Sequence, residues 1–113
     1  MAVSIDAPVG LRNRTTNVAN LSRDQERILH LLSQIAVMDG GKEEAWPARP
    51  LAGADGDCPG LLAAAIWDFQ THWKRKGVFQ HIDGVVDPGG RTLEQMNHLI
   101  SANHDSGPLL PID

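Results

Sequence analysis

The 113-residue chain has no tyrosine, two phenylalanines and three tryptophans, so only 4% of it is aromatic. It has a single cysteine, which excludes an internal disulfide and with it a disulfide-framed fold. Positive charge is also short: 10 Lys and Arg stand against 14 Asp and Glu, for a formal net charge of −4. No basic stripe is available to neutralise phosphates, and nucleic acid is therefore a poor partner. Long apolar runs are missing too. The longest, Leu61 to Trp67, is far too short to span a bilayer. The opening Met1-Ala2-Val3-Ser4-Ile5-Asp6 has neither a basic nor an apolar leader region. The expectation is a chain made in the cytoplasm without a cleavable signal peptide. It stays there, leaves by a leaderless route to the periplasm or outside, or has had a leader removed. A chain this short buries a small core and does not enclose a large active site.

What is present is helical periodicity cut by glycine and proline, of which there are 11 and 7. Residues 1–19 lack periodicity and read as an extended arm, with Leu11-Arg12-Asn13-Arg14 as a solvated basic stretch. Ser22 as N-cap and Gln25 three residues on form a candidate capping box, with Asp24 and Glu26 in the acid-favouring first turn. Ile28, Leu31, Leu32 and Ile35 then mark one face of a first helix, which ends at Met38-Asp39-Gly40-Gly41. Residues 40–57 form a loop around Trp46. A second helix begins near Pro59 and runs to Lys76, with Leu62, Ile66, Phe69 and Trp73 as its core stripe. Val78-Phe79 and Val85-Val86 are short enough to make strand-like pairings. A third helix runs from Arg91 to Ser101 on Leu93, Met96 and Ile100. The apolar tail 102–113, ending Leu109-Leu110-Pro111-Ile112-Asp113, lies across the surface or meets a partner. The fold class expected is mainly α: a compact three-helix bundle over residues 20–101, with two Asp-Gly turn loops and extended arms at both ends.

Asp55-Gly56 and Asp83-Gly84 stand 28 residues apart, and each pair precedes a helix. Ile28-x-x-Leu31-x-x-x-Ile35 in the first helix echoes Ala65-Ile66-x-x-Phe69-Gln70 in the second. The first half runs Asp55-Gly56-Asp57-Cys58-Pro59-Gly60-Leu61-Leu62-Ala63-Ala64-Ala65-Ile66-Trp67-Asp68-Phe69-Gln70. The second runs Asp83-Gly84-Val85-Val86-Asp87-Pro88-Gly89-Gly90-Arg91-Thr92-Leu93-Glu94-Gln95-Met96-Asn97. The two in this order resemble the peptidoglycan-binding-like domain family, a three-helix fold. The Asp-Pro-Gly-Gly-Arg-Thr-Leu form resembles variants in type VI secretion proteins and cell-wall enzymes. The first half departs from the family pattern: Pro59-Gly60 is reversed, Leu62 replaces a threonine and Cys58 an aromatic. The resemblance implies a non-catalytic module that binds peptidoglycan and targets or carries a bacterial cell-wall-acting or type VI secretion-associated protein. The alternative is a protein-interaction adaptor or chaperone-like module of such an apparatus, on the same fold but without glycan binding.

Asp accepts hydrogen bonds from following amides and Gly tolerates positive φ, so Asp55, Gly56, Asp83, Gly84, Gly89 and Gly90 read as structural turns. At the helical repeat Trp67 falls on a face with Ala63, Gln70 and Lys74, away from the core stripe. Trp67, Gln70, Lys74 and the loop Trp46 are the candidate ligand-binding residues, weighed against Trp67 and Trp46 simply packing on the body. His30, His72, His81, His98 and His104 show no ligand spacing for a metal. Cys58 reads as a small buried hydrophobe. Glu43, Glu44 and Asp68 read as solvated acids, and a small hydrolase built on them and the histidines is the weakest reading. No catalytic residue and no cofactor is expected.

Overall fold

A computed structural model describes residues 2–11, 18–46 and 48–105, with side chains to Ser101. Three helices carry the fold: α1 (Ser22–Gln34), α2 (Gly60–Arg75) and α3 (Arg91–Asp105). A 3-10 turn, Val37–Asp39, follows α1. Two short strands, β1 (Val9–Gly10) and β2 (Val85–Val86), pair antiparallel, with Val9 opposite Val86 and Gly10 opposite Val85. The radius of gyration is 13.6 Å, close to the ~13 Å of a compact domain of this length.

The apolar stripes form the helices for the reason their spacing suggests: each must bury one face. Ile28, Leu31, Leu32 and Ile35 from the α1 region meet Leu62, Ile66 and Phe69 of α2 and Leu93 and Met96 of α3, all buried in one cluster. α1 packs on both other helices. Phe69 stacks at a tilt against Phe79 and Trp73, with ring centroids 6.3 and 6.4 Å away. Trp73 is half-buried at the cluster's edge, and its Nε1 donates to the Asp39 carbonyl at 2.9 Å.

Several local expectations change. Gln25 closes no capping box, because Leu21 is the N-cap residue and no side chain caps there. The orphan amide of Ser22 is instead met by Asp55 Oδ1 at 2.7 Å. α1 stops at Gln34, and Gly40, at φ +88°, closes the separate 3-10 turn. α3 continues past Ser101 to Asp105. Val85-Val86 pairs with Val9-Gly10 and not with Val78-Phe79.

The N-terminal residues are extended yet packed. Ile5 and Val9 are buried in the core. The buried carboxylate of Asp24 accepts from the amides of Asp6 and Ala7 and from Arg27 Nη1, at 3.0 to 3.2 Å, which fastens the segment to α1. Asn97 of α3 exchanges two 2.8 Å hydrogen bonds with the backbone of Val3. Arg12-Asn13-Arg14 and the tail segment Leu109–Ile112 lie outside the described residues.

Candidate functional site

Each Asp-Gly turn is held by a buried glutamine. On α1, Gln25 Nε2 donates to the carbonyls of Asn20 at 2.9 Å and Asp57 at 2.8 Å, while its Oε1 accepts from the Gly53 amide at 2.7 Å. On α2, Gln70 Nε2 lies 3.0 to 3.1 Å from the Val85 carbonyl, Asp83 Oδ1 and Thr92 Oγ1, and its Oε1 accepts from the Gly84 amide at 2.8 Å. A primary amide offers a donor and an acceptor in one plane, which is what an irregular backbone folded over a helix needs when water is excluded. Gln70 is therefore an internal staple, only 2% exposed. Its grouping with Trp67 as a shared ligand face does not hold. The second turn and β2 cover the flank of α2 that carries Gln70, while Trp67, less than one turn earlier, remains 43% exposed. Ala63, on that same flank, is buried as well.

The two aspartates hold backbone. Asp83 Oδ1 accepts from the Val85 amide at 3.0 Å within its own turn, and Asp55 reaches the start of α1 as described. Gly56 (φ +91°) donates its amide to the Asn20 carbonyl at 2.9 Å. Gly84 meets two demands at once. Its φ is +74°, and a Cβ there would come within 2.9 Å of Leu11 Cδ1 and 3.3 Å of Trp67 Cε3. Leu11 and Trp67 thus close over the turn, and both keep about two fifths of their surface in solvent. Gly89 takes φ +69°, and the Gly90 amide donates to the Asp87 carbonyl just before α3.

Beside the second turn lies a cleft of about 280 Å³ whose lining includes Gln80, His81, Asp83, Asp87, Arg91 and Thr92. Asp87's carboxyl is raised above its ordinary range, first by partial burial and then by the neighbouring charge of Asp83. Arg91 Nη2 donates to the Val78 carbonyl at 3.1 Å, so one guanidinium edge is already engaged. Trp67 does not line this cleft. Of the other expected ligand residues, Gln70 is in its lining, whereas Trp46 is half-buried against the core and Lys74 is exposed near the end of α2.

Cys58 is half-buried against the core, and its thiol is pushed up to about 11 by burial and by Asp57. A thiol so held is a poor nucleophile at neutral pH. Among the described residues no group of three or more His, Cys, Asp or Glu side chains is arranged to hold a metal ion. No described helix is long and apolar enough to cross a membrane. Gln25 was hidden from a sequence reading by its place in a capping-box pattern. The signal that marks it is its position three residues before the first core residue of its helix, Ile28.

No family model, curated protein or solved structure matches the chain.

Proposed function

We propose that this chain is a non-catalytic binding module for peptidoglycan, one that targets or carries a bacterial cell-wall-acting or type VI secretion-associated protein. The observation that carries the reading is the pair of Asp-Gly turns, whose sequence resembles the peptidoglycan-binding-like family and each of which is held by a buried glutamine. Trp67 stands exposed over the second turn, as a ring that stacks on a sugar must. The cleft beside that turn offers carboxylates, an imidazole and a hydroxyl in about 280 Å³, near the lower size of small-molecule sites. The test is co-sedimentation with purified peptidoglycan. The chain is expected in the pellet, and Trp67→Ala is expected to weaken binding about tenfold, the loss of roughly 1.4 kcal/mol. If the wild-type chain stays in the supernatant, the reading fails.

A protein-interaction role on the same fold is favoured by a different observation. Leu51, Met38 and Leu61 are at least 63% exposed, in addition to Trp67 and Leu11. Where such side chains join into one contiguous patch, they mark a surface that meets a protein. Under this reading the chain co-purifies in stoichiometric amounts with a secretion-apparatus or effector protein and leaves peptidoglycan in suspension. A chain that is monomeric by light scattering and brings down no partner contradicts it.

A further inference from the structure

One face of α2 is left uncovered. Its exposed side chains, Leu61, Ala64, Trp67, Asp68, Lys74 and Arg75, line one side of the helix, opposite the buried Leu62, Ile66 and Phe69. The first half of this face carries no charge. Leu61 is 63% exposed and Trp67 43%, with Ala64 between them. Leu11 lies over Gly84 beside Trp67 and widens the apolar strip.

The second observation is the charge at the two ends of that strip. Lys74, Arg75 and Lys76 close α2, all exposed and in no ion pair among the described residues. Asp55 and Asp57 stand in the turn just ahead of α2, also exposed and also in no ion pair among the described residues. The order along the chain is therefore acid, apolar strip, base. It is symmetric about the midpoint between Ala64 and Trp67: Asp57 stands as far before that point as Lys74 does after it, and Asp55 as far before it as Lys76 after it. A surface with this order complements itself when turned end for end.

We propose that this face of α2 docks a second copy of the chain, antiparallel, about a two-fold axis between Ala64 and Trp67. Both copies then use the same patch. The ring of Trp67 in each covers the small Ala64 of the other, and Lys74 and Lys76 meet Asp57 and Asp55. A parallel pairing sets cations on cations and acids on acids, and is disfavoured. With its 16 residues α2 is only about 24 Å long, so the contact is small and the Kd is expected near about 100 µM. The inference does not rest on glycan binding. A dimer covers Trp67, so a second copy and a sugar stacked on that ring exclude one another.

The test is sedimentation equilibrium of the whole chain from about 10 µM to about 1 mM at low salt, where charge pairing is least screened. A monomer–dimer equilibrium is expected. Ala64→Glu sets two carboxylates beside the axis and is expected to weaken it at least about tenfold, with an unchanged thermal midpoint for the monomer. Lys74→Glu and Asp57→Lys are each expected to weaken the dimer, and the two together to restore it. A chain that is monomeric throughout, a dimer unchanged by Ala64→Glu, or a double charge reversal that restores nothing overturns the proposal.

Discussion

Two side chains of one residue type determine how the irregular parts of this molecule sit on its helices. Gln25 and Gln70 each turn an amide group into a clamp for a loop that lacks regular backbone partners. Gln70→Ala leaves the Gly84 amide and the Val85 carbonyl buried without their partner, and is expected to destabilise the fold by about 3 kcal/mol in urea unfolding. Gln70→Glu is expected to be nearly as damaging, because the carboxylate cannot donate to Val85. Cys58 provides a residue-scale pH effect. Its thiol is raised from 9.0 to about 11 in the folded chain, so folding favours the protonated form. Its contribution is fully present below pH ~9 and is lost as pH rises through ~11. Stability is expected to fall across that window, and Cys58→Ala should flatten the decline in thermal scans at pH 8 to 11. Alkylation by iodoacetamide at pH 8 is expected to be slow in the native chain and fast in denaturant.

At the scale of elements, the smallest one has the strictest requirements. β1 and β2 are two residues each, and an isolated pairing of that length has no stability of its own. It exists because Val9 and Val86 are both fully buried and because Gly10, where a Cβ would strike the Gly84 carbonyl and Val85 Cα, lets the two backbones approach. The Leu11 amide extends the contact by donating to the Gly84 carbonyl at 3.0 Å. Gly84→Ala places a methyl group at positive φ and against Leu11 and Trp67. It is expected to cost about 2 kcal/mol in denaturant unfolding. It should also change the fluorescence of Trp67, whose ring must move.

For the whole molecule, the N-terminal segment is part of the core. Ile5 and Val9 together stabilise the fold by about 3–6 kcal/mol through burial. Asp24 and Asn97 add hydrogen bonds from two different helices. A domain's full stability is about 5–15 kcal/mol. A chain lacking residues 2–10 is therefore expected to lose its cooperative thermal transition or to unfold at much lower urea, while keeping helical far-UV dichroism in part. If the truncated chain unfolds like the intact one, the segment is an accessory and the packing argument is wrong.

The apolar stripes of all three helices were legible in the sequence, since a 3.6-residue period is a property of neighbours along the chain. Ile28, Leu31, Leu32, Ile35, Leu62, Ile66 and Phe69 all lie where that period puts them, in the core. The Asp-Gly turns were legible for the same reason: glycine's freedom and aspartate's reach act within a few residues. The candidate site was legible only in pieces. Trp67 is exposed, as the helical repeat suggests, but the same repeat also assigned Gln70 to its face. Only the tertiary structure decided otherwise, because the loop that covers Gln70 arrives from thirteen residues further on. The role of Gln25 and the pairing of Val9 with Val86 were likewise decided by partners distant in sequence. Local spacing fixes which residues can share a helix face. Which side of that face meets water depends on what the rest of the chain lays over it.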